Sequence, residues 1–297
     1  MRTRTALAAF LASVALNLLV PPAPVQAQVR LPALGEAESD EFSIADEKKV
    51  GEAIMRQILP DPDVVDDPVL YEYVDTIFQR LHAAARKRGN ISDEMEDAFA
   101  WRPFLVRDKS FNAFALPGGY VGVHLGLIAA AGSRDEMASV LGHELSHITQ
   151  RHIARSIAAN KHQGVLATAA MLLGIILSAK SNNSDLPMAV ITSAQAAQAT
   201  GQLTFSREME AEADRFGLEV MTDAGYAPSG MAAMFERLEQ ASQLNDDDSY
   251  PWLRSHPLTI ERLAEARLRA RQLPPPDPAG SHATEHALMR ARARALV

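Results

Sequence analysis

In His143-Glu144-Leu145-Ser146-His147 two imidazoles stand four residues apart and a carboxylate directly follows the first. That spacing converges only on a helix, where side chains four apart lie about 40° from each other on one face. Glu144, about 100° from His143 and about 60° from His147, sits at the edge of the same face. The sequence therefore predicts a helix here. Ser133 with Glu136 three residues on is a capping-box start, and the pattern carries the helix to about Asn160. Met137, Leu141, Leu145 and Ile148 gather opposite His143, which places the core on that side and turns the histidines toward a cleft. On such a helix His152 falls about 180° from His143. It reads as structural.

Two histidines on one helix face suit a zinc ion, and a glutamate beside them can take a proton from a water and hand it to a leaving amine. A third ligand must come from elsewhere. Ser206 to Asp214 offers four acids. Glu208 and Glu212 share a polar face with Arg215 and Glu219, most simply a solvated one. Glu210 and Asp214 share the other face with Ala213, Gly217 and Met221, small and apolar neighbours that imply close helix packing. Two carboxylates there are costly unless something satisfies them. Glu210 as metal ligand, with Asp214 accepting from a ligand histidine, meets that need; a buried ion pair with arginine is the alternative. Donors of this kind also take other divalent ions.

Composition closes several routes. The 297 residues include no cysteine, which excludes a disulfide framework, thiol catalysis, thiolate metal sites and a lipid-bearing cysteine. A formal charge of −8 argues against nucleic acid as a partner. Arg2 and Arg4 precede an apolar run from Ala6 to Val20, then Pro21-Pro22-Ala23-Pro24 and Val25-Gln26-Ala27. This is the layout of a signal peptide cut after Ala27, since a membrane span needs about 20 apolar residues. Cleavage removes Arg2 and Arg4 and takes the charge to −10. An exported protein without disulfides suits a bacterial periplasm.

Along the chain, 28–42 reads as an extended lead-in. Helices are predicted from Ser43 to Leu59 and from Pro68 to Lys87, the latter with Val69, Tyr73, Ile77 and Leu81 in register. Strands follow at Phe99–Arg107, Asn112–Leu116 and Tyr120–His124, the last two joined by Pro117-Gly118-Gly119. Further helices are predicted at Ser206–Thr222, Pro228–Leu244 and Leu258–Gln272. Pro274-Pro275-Pro276 forms a linker before an amphipathic helix over 281–297. The stretch His162 to Ala179 holds no charged residue other than His162, between Lys161 and Lys180. It reads as a lid over the cleft, an interfacial segment or a span. Thr192 to Gln202 fits the same lid. The domain layout is then 1–27 signal, 28–42 lead-in, 43–273 catalytic domain, and 274–297 linker and helix.

With H-E-x-x-H at 143–147, E-x-x-x-D at 210–214, Asn112-Ala-Phe-Ala-Leu-Pro-Gly-Gly-Tyr120 and Ser255-His256-Pro257, the chain resembles the gluzincin metallopeptidases of the HtpX and CAAX-prenyl-protease group. Within that group it is most similar to the periplasmic β-barrel assembly-enhancing type, over roughly 43–272. The resemblance implies an α+β, mostly helical zincin-like domain with a small sheet. It implies one Zn2+ on His143, His147 and Glu210, with Glu144 as general base and Asp214 behind a ligand. It implies an edge strand, Asn112, Ala113, Phe114 and Ala115, that pairs with an extended substrate, and an Arg262 that stabilises an oxyanion. His256 either hydrogen-bonds the transition state, or takes a fourth zinc position and keeps the enzyme latent, or is a helix-entry residue. The implied activity is periplasmic zinc-dependent endoproteolysis of misfolded or stalled envelope proteins, with outer-membrane assembly machinery as partner and membrane contact through 162–179. The rival is a chaperone-like module that holds unfolded clients and rarely cuts them. The repeat domain that relatives of this type carry after the peptidase has no counterpart before Val297.

Overall fold

The computed structural model describes residues 42–159, 205–244, 250–273 and 282–297. The expected signal peptide, the lead-in before Phe42, the stretches 162–179 and 192–202 and the proline linker lie outside the described residues.

Polar caps start the helices where the sequence places them. The Ser43 hydroxyl accepts the Asp46 N–H to begin α1 (Ile44–Ile58). Asp67 accepts the Leu70 N–H and Pro68 fills the first turn of α2 (Pro68–Lys87). Tyr73, Ile77 and Leu81 of α2 are buried, whereas Val69 is 45% exposed. After a short α3 (Asp93–Ala98) come β1 (Arg102–Val106), β2 (Ala113–Leu116) and β3 (Tyr120–His124). The sheet order is β1-β3-β2, with β1 parallel and β2 antiparallel to β3. Gly118 and Gly119, both at positive φ, make the β2–β3 turn. Both faces of β1 are covered. Leu105 joins the main core with α2, while Phe104 and Val106 join a smaller cluster with Val50, Ile54 and Ile58 of α1.

A short α4 (Leu125–Ala130) leads to α5 (Arg134–Thr149). Ser133 caps α5 through the Glu136 N–H, as the motif predicts. The Glu136 carboxylate reaches one residue further back, to the Gly132 N–H at 2.7 Å. Two expectations for this helix need correction. It ends at Thr149, not near Asn160: Arg151 takes a left-handed φ of 54°, and a new helix α6 (His152–Ala159) starts at once. Arg151 is held in that conformation by Glu47 at 2.7 Å and the Phe42 carbonyl at 2.6 Å, contacts no local pattern announces. Nor is the histidine face open. His143 is 1% exposed and His147 0%, because later elements cover them.

The later elements are α7 (Arg207–Asp223), α8 (Ser229–Leu244), α9 (Pro251–Ser255) and α10 (Ile260–Gln272). The last helix, α11 (Ala283–Leu296), packs against α2 and α4. His286 Nδ1 lies 2.6 Å from the Tyr73 hydroxyl, and its Nε2 lies 3.0 Å from the Ala131 carbonyl. Arg292 pairs with Asp67, the α2 cap, at 2.9 Å. No helix among the described residues is long and apolar enough to cross a membrane.

Candidate metal centre

Three segments meet at one point. α5 brings His143, Glu144 and His147; α7 brings Glu210 and Asp214; the α9–α10 connection brings His256. The approach of α5 to α7 depends on two glycines. A Cβ on Gly217 would stand 3.0 Å from the Gly142 carbonyl carbon and the His143 nitrogen, and one on Gly142 would stand 3.1 Å from the Gly217 carbonyl oxygen. Without side chains there, backbone lies on backbone, and the residues one and two turns earlier on α7 reach α5.

One ligand atom from each of His143, His147, Glu210 and His256 lies within 4.8 Å of the other three, and all four residues are buried. His143 Nε2 is 3.0 Å from His147 Nε2 and 3.2 Å from His256 Nδ1. Glu210 lies 2.8 Å from His256 Nδ1, 3.4 Å from His147 Nε2 and 3.5 Å from His143 Nε2. A proton can bridge one such pair of nitrogens. A divalent cation satisfies three imidazoles and a carboxylate together, so the donor set fits a metal. The surroundings also favour positive charge. Burial alone would lower the His143 pKa, but hydrogen bonds to Asp214 and Glu210 outweigh it and raise it to about 9. Burial holds the His147 pKa well below its ordinary value. Burial raises that of Glu210, yet His256 and hydrogen bonds to the three histidines bring it far below the usual carboxylate range.

Asp214 lies behind His143 as seen from the cluster. It accepts from His143 Nδ1 at 2.9 Å, leaving Nε2 to face the centre. Arg262 grips Asp214 with Nε at 2.7 Å and Nη2 at 2.8 Å, and places Nη1 2.8 Å from Glu210 and 2.9 Å from the Pro257 carbonyl. Both readings of the paired carboxylates thus hold together: they converge on the histidines and also pair with arginine. In this structure the Arg262 guanidinium is engaged by these two carboxylates. Its guanidinium also lies over the Phe235 ring, 5.1 Å from the centroid.

Glu144 is 0% exposed. Its Oε1 accepts from the Trp252 indole N–H at 2.9 Å, and its Oε2 accepts from the Ala115 backbone N–H at 3.1 Å. β2 is an edge strand. Its ladder uses alternate residues and includes the His124 N–H on the Asn112 carbonyl, 3.1 Å, so the backbone groups of Ala113 and Ala115 point to the outer edge, where no described strand pairs with them. Asn112 is spent within the sheet, and Phe114 packs its ring over Gly122, beside Phe104.

Sequence reasoning missed three neighbours. Phe205 stacks on His147 with ring centroids 3.9 Å apart. Trp252 stacks on His256 at 4.9 Å and holds Glu144. His152 lies outside the cluster, as expected for a structural residue, but its Nδ1 is 2.8 Å from His147 Nδ1. Only the broken helix allows that contact.

Residues 72–270 match the profile of peptidase family M48. The chain belongs to this family. Among its relatives are the β-barrel assembly-enhancing proteases of Escherichia coli (strain K12), 31% identical over 256 residues, and of Yersinia pestis, 33% identical over 264 residues. The alignments take in 86% and 89% of this chain but 50% and 52% of those proteins. The mitochondrial metalloendopeptidase OMA1 of Arabidopsis thaliana is 32% identical over 175 residues, 58% of this chain and 33% of that one. The chain spans about half the length of the curated bacterial relatives it matches. The M48 match encloses both metal-site helices and the His256 segment.

Proposed function

We propose that this M48 chain is a zinc-dependent endopeptidase of the periplasm that cuts misfolded or stalled envelope proteins. The observation that carries the reading is the buried quartet of His143, His147, Glu210 and His256 with Glu144 held between it and the edge strand β2. Zinc, when bound, polarises the scissile carbonyl and lowers the pKa of water. The chain's own residues do the rest. An unfolded segment pairs with the Ala113 backbone and the Ala115 carbonyl, which reads backbone and tolerates many sequences, while the Ala115 N–H stays on Glu144. Glu144 takes a proton from the attacking water and delivers it to the leaving amine. Trp252 orients the Glu144 carboxylate, and Asp214 with Arg262 steadies His143 and Glu210. The apolar cover of Trp252 and Phe205 excludes bulk water.

His256 is the latch in this reading. It already shares the point where His143, His147 and Glu210 meet, and Glu210 holds it there at 2.8 Å. Substrate must displace it. The names of the bacterial relatives support envelope substrates and outer-membrane assembly machinery as partners. The competing reading is a binding module for unfolded clients, which the same closed centre would serve.

Cleavage of casein by the mature chain with stoichiometric zinc tests the proposal. Slow cleavage by the wild type, faster cleavage by His256→Ala and none by Glu144→Gln support a latched peptidase. Loss of cleavage in His256→Ala assigns His256 to the transition state instead. Zinc binding without cleavage by any of the three favours the binding module.

A further inference from the structure

The hydrogen-bond chain behind His147 has a direction. It ends on the Glu212 carboxylate, whose Oε2 lies 3.0 Å from His152 Nε2 and 2.9 Å from Arg155 Nη1. A carboxylate only accepts, so His152 Nε2 carries the proton. Neutral His152 then has a bare Nδ1. That atom faces His147 Nδ1 at 2.8 Å, so His147 must be the donor there. The proton of neutral His147 is thereby placed on Nδ1, and its Nε2 presents a lone pair to the centre. A bare His147 Nε2 also suits His143, whose Nε2 is 3.0 Å away.

We propose that His152, anchored by Glu212, is a positioning residue that fixes the tautomer and ring orientation of His147 for metal binding. It does for His147 what Asp214 does for His143, but through a second imidazole. The geometry is built, not incidental. His152 is 0% exposed, and the Arg151 break turns it back onto the ring it would otherwise oppose. Glu47 and the Phe42 carbonyl hold that break, so α1 takes part in aiming a side chain about a hundred positions away in sequence. Phe205 packs on the other side of His147 and limits rotation of the ring.

The inference rests on the metal reading above, and its test separates the two. Long-range 15N–1H spectra of the metal-free wild type, with His147 assigned by its absence in His147→Gln, report which ring nitrogen carries the proton. The expected state is Nδ1–H with bare Nε2; a proton on Nε2 alone overturns the relay. Zinc affinity, measured by competition with a chromophoric chelator, supplies the second readout. His152→Phe keeps the ring volume and removes the acceptor, and should weaken zinc binding about 10- to 100-fold. His152→Gln restores an oxygen that accepts from His147 Nδ1–H, and should recover most of the loss. Equal losses in both variants, or wild-type affinity in His152→Phe, overturn the proposal. A wild type that binds no zinc overturns the metal reading, and the tautomer still decides the relay. Should His152→Phe fail to fold, Glu212→Ala, at a partly exposed position, takes its place with an expected loss of several-fold.

Discussion

Both oxygens of Glu144 have donors, Trp252 Nε1–H and Ala115 N–H, so the carboxylate is aimed before any substrate arrives. Replacing it with glutamine keeps the shape and removes the proposed base. Glu144→Gln should lower kcat/KM by about 10²- to 10⁴-fold with zinc binding intact, measured on an unfolded substrate and by chelator competition. A different carboxylate contributes to the pH response of the fold. Burial raises the Glu47 pKa to about 7 from an ordinary value near 4.5, and Arg151 only partly offsets this. The folded state therefore holds the Glu47 proton more tightly than the unfolded state. Its contribution to stability is fully present below about pH 4.5 and is lost as pH rises through about 7. Between pH 5 and 8 the wild-type Tm should fall more than that of Glu47→Gln; identical slopes would rule out Glu47 as the titrating group. At this scale the sequence was highly legible where motif and periodicity agree. His143, Glu144, His147, Glu210 and Asp214 were all placed by spacing and face. Trp252, Phe205 and the His152 contact were not, because they depend on tertiary packing that no local pattern records.

The elements follow their caps closely. Ser43, Asp67, Ser133, Ser206 and Thr259 each start a helix as a side-chain cap. The clearest departure is the helix expected to run to about Asn160. A left-handed arginine has no sequence signature of the kind glycine provides, and the ion pair that offsets its strain comes from α1. Burial of the histidine face was hidden for a related reason: α7, α9 and α10 come from distant parts of the chain. The α5–α7 crossing makes a sharp prediction. Gly217→Ala drives a methyl into the Gly142 backbone at 3.0 Å. The helices must separate, at a cost of about 1–3 kcal/mol, and Glu210 should retreat from His143. Denaturant unfolding and zinc titration should both show the loss. Normal zinc affinity in a destabilised variant would mean that the crossing does not set the site.

Across the whole molecule, the last helix is part of the same packed body. Ala293 is 0% exposed, and Arg292 and His286 tie α11 to the cap of α2 and to Tyr73. Ala293→Asp would bury an unpaired carboxylate and should cost on the order of 3 kcal/mol, read as a lower Tm and faster proteolysis of α11. Unchanged stability would mean that α11 is a dispensable appendage. The mixed sheet and the central α5 leave one strand edge next to Glu144, the arrangement an unfolded chain would need. The central claim is that one zinc in the His143–His147–Glu210 site drives peptide hydrolysis. Zinc titrated into the metal-free chain, with casein cleavage followed in the same samples, tests it most directly. Cleavage should rise linearly and level off at one zinc per chain. Full zinc occupancy with no cleavage, or cleavage that is independent of zinc, would contradict the account.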